Sequence, residues 1–492
     1  MNDSSFGGAS LRRAVSVGVR WTAGQTLGSQ LLQFAVFAIL ARVLSPKEFG
    51  IIGIATIFIS LTEVFSGTAG LSTGLIQRHK LSEDDKNTAF WLSFLMAVAF
   101  ALGLVASAGL VGDLFKEPQA VPVLRVMAII PLLGALGVVP DALLTRALEF
   151  KALSIRSLAG IASGGVVGVT MAIAGAGVWA IVGQQVTSRL VGTIALYWAA
   201  SWRPRFATSR SSTRWLVPFG FSIIGRDIVH VISRRADNFI IGVRLDAAAL
   251  GVYRVGYRMF LVVTEVFVRT TSKLALPTLS RLQNEPDRLG RAVNSAVRLT
   301  ALISVPAFIG MAVLSREIVL VFFGPQWTDS ASVMAALSVA GVLQTFAFFA
   351  NSLVLATGHT GLVVRMALLS TVLNVVGFVI AVQWGITAVA VAYSIRVVLV
   401  TPIWLHLSNK YASVRPLQVM RQYAMPIASS ALMASTIVAA RELWMASLGP
   451  TAVLAICIPL GVLVYGVSAL LTQRSTMNEA MAMLKAGRRA TT

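Results

Sequence analysis

The chain is poor in the residues from which redox and metal centres are built. It has one cysteine and four histidines among 492 residues, and no CxxC, HExxH or phosphate-binding glycine-lysine loop occurs. The single cysteine, Cys457, excludes an internal disulfide. We therefore expect no metal site and no resident cofactor.

Long polar segments are scarce as well. The longest polar loops lie around Ser72–Thr88 and Lys273–Asn294, and neither is long enough for a separate catalytic domain. A membrane glycosyltransferase or glycan polymerase would need an extended outer loop with acidic or histidine residues for catalysis. The sequence thus predicts a protein that is not an enzyme.

What the chain has in abundance is apolar sequence. Hydrophobic residues make up 56% of it, charged residues 12%, and its mean hydropathy is +0.78. A helix that crosses a bilayer needs about 20 mostly apolar residues. The pattern predicts an all-α polytopic membrane protein with about 14 spans, at 20–41, 49–71, 89–111, 123–145, 155–174, 177–199, 215–242, 249–272, 296–314, 331–353, 365–382, 385–405, 421–440 and 450–471.

Positive charge exceeds negative charge, with 41 Lys and Arg against 20 Asp and Glu and a net charge of +21. Most loop Lys and Arg residues fall in alternate loops. The other loops hold only Arg42, Lys47, Lys116, Arg244, Arg316 and Arg441. Because basic residues are retained on the cytoplasmic side, both termini are predicted to be cytoplasmic. The same distribution argues against nucleic-acid binding, since topology and anionic lipid headgroups explain the charge.

An internal repeat divides the predicted spans. "LSPKEFGIIG" (Leu44–Gly53) follows span one, and "LDAAALGVYR" (Leu245–Arg254) follows span seven at an offset of 201 residues. Three later pairs of loops and helix starts match at offsets up to 209. The pattern predicts two six-helix bundles in parallel orientation that enclose a cleft, at 1–212 and 213–410, and an extra helix pair with a cytoplasmic tail at 411–492.

Two helices of the second predicted bundle carry charged stripes. "GRDIVHVISRRADNFIIG" in span seven places Arg226, His230, Ser233, Arg234 and Asp237 within about 100° of the helix circumference, while Arg235 points away. In span eight, Arg254, Arg258, Glu265 and Arg269 share one face. Charges at bilayer depth face protein or water, so these stripes predict a wet, cationic cavity. Span one contributes Gln30 and Gln33, and span two contributes Ser60 and Glu63.

Each of these residues also has a structural interpretation. Arg254 and Arg269 lie toward opposite ends of span eight, where arginine side chains reach the headgroups. Arg226 could pair with Asp227, and an Arg234–Asp237 pair could serve packing alone. His230 is more often a hydrogen-bonded helix residue than a proton carrier, and the isolated Gln344, Asn351 and Arg396 are interpreted as packing or cavity lining.

"RADNFIIGVRLDAAALGVYRVGYRM" (Arg235–Met259), "LPTLSRLQ" (Leu276–Gln283) and "LARVLSPKEFGIIGIA" (Leu40–Ala55) resemble bacterial polysaccharide exporters of the colanic-acid, succinoglycan and xanthan type. These belong to the multidrug/oligosaccharidyl-lipid/polysaccharide flippase superfamily. The resemblance implies a V-shaped central cavity and an inner-membrane flippase. It would move undecaprenyl-diphosphate-linked oligosaccharide repeat units by alternating access, for exopolysaccharide, capsule or lipopolysaccharide biosynthesis. Glycosyltransferases and a polysaccharide polymerase/export system are the implied functional partners.

The chemistry of such a substrate agrees with the stripes. Guanidinium groups match a diphosphate in charge and bidentate geometry, which points to Arg226, Arg234, Arg254, Arg258 and Arg269. Gln30, Gln33 and Ser60 are the candidate sugar contacts. In related lipid II flippases, cavity arginines lie on helices one, two and eight; here only Arg254 and Arg258 match. Glu63, Asp237 and Glu265 are candidates for proton or sodium coupling.

The alternative is a cation-coupled multidrug exporter of the same superfamily. Organic cations require an acidic or aromatic cavity, so the arginine stripes favour the flippase. A lipid-binding scaffold would explain the surface charge but not a repeat with a polar interior.

Overall fold

The computed structural model describes residues 8–65, 68–269, 279, 280, 282, 285–412, 414–445 and 447–474. Within these residues every regular element is helical. The first helices are α1 (Gly8–Val43), α2 (Pro46–Phe65), α3 (Thr68–Gln77), α4 (Glu83–Leu114), α5 (Ala120–Met127), α6 (Ile129–Leu136), α7 (Val138–Arg146), α8 (Phe150–Ile173), α9 (Val178–Ala199) and α10 (Arg210–Arg244).

The second half continues in the same way. Its elements are α11 (Ala247–Val263), a π-helical turn (Thr264–Arg269), α12 (Pro286–Val313), α13 (Ser315–Phe322), α14 (Ser330–Ala356), α15 (Thr360–Ala381), α16 (Ile386–Ala412), α17 (Pro416–Trp444) and α18 (Pro450–Thr472), with short 3₁₀ turns at Pro325–Trp327 and Val382–Trp384. The segment Leu276–Gln283 and the tail beyond 474 lie wholly or partly outside the described residues.

Within the described residues, the predicted spans fall on helical sequence. Among the described residues, 11 helical segments are long and apolar enough to cross a membrane, and Gly28–Val43 is a shorter apolar helix. Span four is built from three short helices, α5 to α7, because Pro131 and Pro140 lack the backbone donor that a straight helix needs. The number of 14 crossings stays a prediction.

The chain divides by its contacts into two compact units, Met1–Gly251 and Val252–Thr492. This division differs from the predicted repeat boundaries at 212 and 410, which rest on sequence similarity and stay a prediction. In the first unit, Leu71, Leu75, Phe90 and Leu216 form a buried cluster. In the second, Phe349, Leu353 and Tyr423 belong to a core that joins α12, α14, α16 and α17.

The two matching turns of the repeat begin their helices in the same way. Before α2, Ser45 and Glu48 cap each other's backbone amides, with the Ser45 N–H donating to Glu48 Oε2 at 2.7 Å. Before α11, the Ala249 N–H donates to Asp246 Oδ1 at 2.7 Å. A side-chain acceptor at this position satisfies an amide that the first helical turn leaves unpaired. These caps fix where both helices begin.

The same two helix starts lie against each other through glycine. A side chain on Gly50 would overlap the Ala247 carbonyl oxygen, and a side chain on Gly251 would overlap the Pro46 carbonyl oxygen. Both Gly50 and Gly251, and Pro46 and Ala247, are separated by the repeat offset of 201 residues. A reciprocal contact of this kind is what two elements related by a two-fold axis make.

Candidate functional site

A polar cavity of about 330 Å³ opens in the first unit among α2, α3, α9 and α10. From α2 and α3 it is lined by Ser60, Glu63, Val64 and Thr68, and from α9 by Arg189. From α10 it is lined by Asp227, His230, Val231, Arg234 and Arg235. Most of these side chains are polar or charged although the helices that carry them are largely apolar.

Cations exceed anions in this lining. Three guanidinium groups, of Arg189, Arg234 and Arg235, face two carboxylates, of Glu63 and Asp227. Guanidinium groups offer paired N–H donors that match carboxylate and phosphate oxygens. The cavity is therefore suited to an anionic group with several oxygens.

Arg189 and Glu63 form an ion pair across the cavity wall. The Arg189 Nη2 group donates to Glu63 Oε1, and the two side chains are 36% and 34% exposed. Arg189 lies near the middle of α9, the helix of predicted span six. If that helix crosses the membrane as predicted, an unpaired charge at this position would be costly. The carboxylate of Glu63 balances that charge while leaving both groups open to the cavity.

Glycine packing on α8 holds α9, and hence Arg189, in place. A side chain on Gly160 would come within 2.7 Å of the Ser188 carbonyl oxygen, and one on Gly164 within 2.5 Å of the Gln184 carbonyl oxygen. A side chain on Gly168, one turn further along α8, would come within 2.7 Å of the Gln184 Cβ atom and 3.2 Å of the Ala180 carbonyl oxygen. Small residues four apart let two membrane helices approach closely. The α9 backbone at Ser188, next to Arg189, therefore lies directly against α8.

A polar cluster around Asp85 anchors the start of α10. The side chain of Asp85 is fully buried; it accepts a hydrogen bond from the Ser212 hydroxyl at 2.6 Å and lies 3.1 Å from Arg78 Nη1. It also closes a capping box with Ser82 at the start of α4. The Arg78 guanidinium stacks over the Trp215 ring at 4.4 Å. This Asp85 cluster ties α4 to the helix that carries Arg234.

The cavity brings together three of the residues predicted from sequence, Ser60, Glu63 and Arg234. The Ser60 hydroxyl donates to the Thr56 carbonyl oxygen at 2.7 Å, so its oxygen can still accept a hydrogen bond. Asp237 lies one turn beyond Arg234, is 4% exposed, and accepts a hydrogen bond from the Asn238 N–H at 2.7 Å. Gln30 and Gln33 are half-buried on α1.

The remaining predicted residues lie elsewhere in the chain. Arg254 and Arg258 are half-buried on α11, and Glu265 is half-buried in the π-helical turn; all three belong to the second unit. The side chains of Arg226 and Arg269 lie outside the described ones. The role of these four arginines as phosphate ligands therefore stays a prediction.

Two cavity arginines extend the predicted set. Arg235 lines the cavity beside Arg234 although the helical wheel places it off the charged stripe, because a long side chain reaches well beyond its own sector. Arg189 was not singled out from sequence. The sequence nevertheless shows a single arginine in the middle of predicted span six. A charged residue inside a membrane span is by itself a candidate functional residue.

Arg396 and Gln344, interpreted from sequence as packing or cavity lining, both contact Tyr393 in the second unit. Arg396 Nε donates to Asn374 Oδ1 at 2.9 Å, and its guanidinium lies 4.5 Å from the Tyr393 ring centre. Gln344 Nε2 donates to the Tyr393 hydroxyl at 3.3 Å. Tyr393 thus links α16 to α14, and Arg396 links α16 to α15, through polar contacts.

Over the residues that the structure describes, no three His, Cys, Asp or Glu side chains are grouped to hold a metal ion.

Comparison with known proteins gives relatives along most of the chain. It is 27% identical over 332 residues to the succinoglycan biosynthesis transport protein ExoT of Rhizobium meliloti, covering 67% of each chain. It is 24% identical over 384 residues to the lipopolysaccharide biosynthesis protein WzxC of Escherichia coli K12, covering 76% of each chain. The teichuronic acid biosynthesis protein TuaB of Bacillus subtilis is also 24% identical, over 72% of this chain and 73% of TuaB.

Two solved structures share the fold. The lipid II flippase MurJ in an inward closed conformation superposes with a TM-score of 0.76 at 15% identity, over 93% of this chain and all of that one. An inward-facing multidrug resistance transporter of the MATE family superposes with a TM-score of 0.64 at 15% identity, over 80% of this chain and 96% of that one.

Among these matches are a transport protein, a lipid II flippase and a multidrug resistance transporter, and this chain is a multi-pass membrane protein and not an enzyme. A family model described as polysaccharide biosynthesis protein matches residues 39–332, more than half of the sequence. The chain belongs to the polysaccharide biosynthesis protein family.

Proposed function

We propose that the chain is an alternating-access flippase for undecaprenyl-diphosphate-linked oligosaccharide repeat units, working in the inner membrane with both termini in the cytoplasm. Such units would supply exopolysaccharide, capsule or lipopolysaccharide biosynthesis. The observation that carries the proposal is the arginine-lined cavity inside a member of a polysaccharide biosynthesis family. A diphosphate needs cationic ligands to leave water, and this cavity supplies three.

The different parts of the substrate would meet different residues. Arg234, together with Arg226, Arg254, Arg258 and Arg269, is the proposed diphosphate contact. Ser60, Gln30 and Gln33 would hydrogen-bond the sugars. The prenyl chain would remain in lipid, because about 0.8 kcal/mol would be lost for each CH₂ group moved into water.

Coupling to a proton or sodium gradient is part of the proposal. Glu63, Asp237 and Glu265 are carboxylates on membrane helices, where gain of a proton or a sodium ion would change the local charge balance. Glu63 already neutralises Arg189, and Asp237 is nearly fully buried. Transport by proteoliposomes that is indifferent to both gradients would remove this coupling.

A multidrug exporter is the second candidate, because the MATE transporter shares the fold with a TM-score of 0.64. The excess of arginine over carboxylate in the cavity opposes binding of an organic cation. The two functions separate in one experiment. Cells depleted of the protein should accumulate lipid-linked repeat units on the inner leaflet, whereas a drug exporter would change drug tolerance and leave those lipids unaffected.

A further inference from the structure

The ion pair between Arg189 and Glu63 has a second property besides neutralising charge. Each side chain keeps about a third of its surface exposed, and both line the cavity with Arg234 and Arg235. An ion pair enclosed on all sides could not reach a ligand. This one presents a guanidinium group to whatever enters the cavity.

A phosphate-bearing group would compete with Glu63 for that guanidinium. Both are oxyanions, and both accept the paired N–H donors of arginine in the same planar geometry. A diphosphate carries more negative charge than a carboxylate and offers more oxygens. It would also contact Arg234 and Arg235, which face the same cavity, so its binding is favoured over the resting pair.

The Arg189–Glu63 pair has a physical role when no ligand is bound. Arg189 is ten or eleven residues, or roughly 16 Å, from the ends of its helix, so its side chain meets water through the cavity that it lines and not at the helix ends. A cation held in such a confined site is costly without a counter-charge. The Glu63 carboxylate balances the charge of Arg189 and orients its guanidinium until an anionic ligand replaces it.

From this we infer that Arg189 is a binding residue for a phosphate-bearing headgroup, held by Glu63 in the empty cavity and transferred to the phosphate when the ligand binds. Glu63 then acts as a competing counter-ion that lowers affinity. The inference rests on the proposed function only in that the substrate carries phosphate.

The test is a binding measurement on the full-length protein in nanodiscs of zwitterionic lipid, with inorganic pyrophosphate as the probe. Arg189→Gln should weaken binding about tenfold, the effect of losing a charge-assisted hydrogen-bond pair. Glu63→Gln should act in the opposite direction and tighten binding about fivefold. In the Arg189→Gln background, Glu63→Gln should tighten binding no more than Asp227→Asn does, because only the general charge effect of a lost carboxylate remains once the cation that Glu63 competes for is gone.

Asp227→Asn is the matched control for net charge. It removes one carboxylate from the same cavity, and its effect should be the same with Arg189 or with Gln at that position. Two outcomes would overturn the inference. One is that Glu63→Gln tightens binding no more than Asp227→Asn when Arg189 is present, and the other is that it exceeds Asp227→Asn by the same factor in the Arg189→Gln background. A purely structural pair would instead weaken binding and thermal stability in both single variants.

Arg189→Lys guards against a failure to fold. It keeps the charge and the pairing with Glu63 but loses the bidentate donor set, so it should preserve thermal stability while still weakening pyrophosphate binding. A soluble prenyl diphosphate serves as a second probe. Equal effects of the variants on both probes identify the diphosphate as the shared ligand, whereas an effect confined to the prenyl compound would contradict the role of Arg189.

The outcomes separate this inference from the proposed function. A protein that flips lipid-linked glycan but whose pyrophosphate binding is absent, or is unaffected by Arg189→Gln, keeps the function and refutes the inference. A protein that shows the expected binding pattern but moves no lipid-linked glycan supports the inference and refutes the proposed function.

Discussion

Arg234 is the residue that both the sequence and the cavity single out. It lies on the charged stripe of α10 and lines the cavity with Arg189. Arg234→Ala should reduce glycan export at least tenfold, because a charge-assisted contact to the phosphate is lost. Export of the polysaccharide and protein abundance in the membrane should be measured together.

Arg288→Ala is a suitable comparison. That arginine is 63% exposed and pairs with Glu285 at 2.8 Å near the start of α12. Its removal should leave export within about twofold of the wild type, since exposed pairs contribute little. Full activity of Arg234→Ala would contradict its assignment to the cavity.

At this scale the sequence was informative where charge interrupts an apolar helix. Helical spacing placed Arg234 on a polar stripe of α10, and cavity lining by Ser60 and Glu63 agrees with the polar face expected of span two. It did not reveal that Glu63 pairs with Arg189, because 126 residues separate them and periodicity says nothing about which helices are neighbours. The interpretation of Glu63 as an ion-coupling group must now include this partner.

At the scale of the element, the glycines of α8 determine how closely α9 can approach. Gly164→Ala should destabilise the protein by about 1–3 kcal/mol, because its methyl group would meet the Gln184 carbonyl oxygen, which cannot rotate away. We also expect reduced export, since a displaced α9 would move Arg189. Thermal unfolding in detergent is the measurement.

Gly103→Ala provides the control for Gly164→Ala. It makes the same substitution within α4, where a side chain meets nothing within 4 Å. Its stability should equal or slightly exceed that of the wild type, because alanine favours the helix. Equal effects of both substitutions would indicate that helix propensity, and not the approach of α9, governs the loss.

The Asp85 cluster determines the position of another element, α10. Asp85→Asn keeps the shape of the side chain but leaves Arg78 without its buried counter-charge, so a loss of about 3–5 kcal/mol is expected. Asp84→Asn, at the exposed neighbouring position, should have little effect. Limited proteolysis of the 200–209 linker would report the loosening of α10, and unchanged protection in Asp85→Asn would contradict it.

At the scale of the whole molecule, the repeat and the two helix starts at Gly50 and Gly251 belong together. The offset of 201 residues predicted that these turns are equivalent, and the structure shows them in reciprocal contact. The contact itself was not predictable, since hydropathy defines each helix but not its neighbour. The sequence also does not show which glycines are packed. Gly103, for example, has a sequence context like that of a packed glycine, although its Cβ position is open.

Substitution of either glycine tests the importance of that contact. Gly50→Ala and Gly251→Ala should each reduce thermal stability by about 2 kcal/mol or more, because backbone carbonyl oxygens occupy the space. In the double variant the loss should be smaller than the sum of the two single losses, since either substitution already separates the starts of α2 and α11. Gly109→Ala, with open space around it, should be neutral. Additive losses would mean that the two contacts are independent.

The central claim is that the protein moves lipid-linked oligosaccharide across the membrane. The direct test is reconstitution of purified protein with undecaprenyl-diphosphate-linked oligosaccharide in liposomes. Appearance of the glycan in the opposite leaflet is followed by its reaction with a membrane-impermeant reagent. We expect movement well above that in protein-free liposomes, with Arg234→Ala near that background. Movement by the wild type no faster than in protein-free liposomes would contradict it.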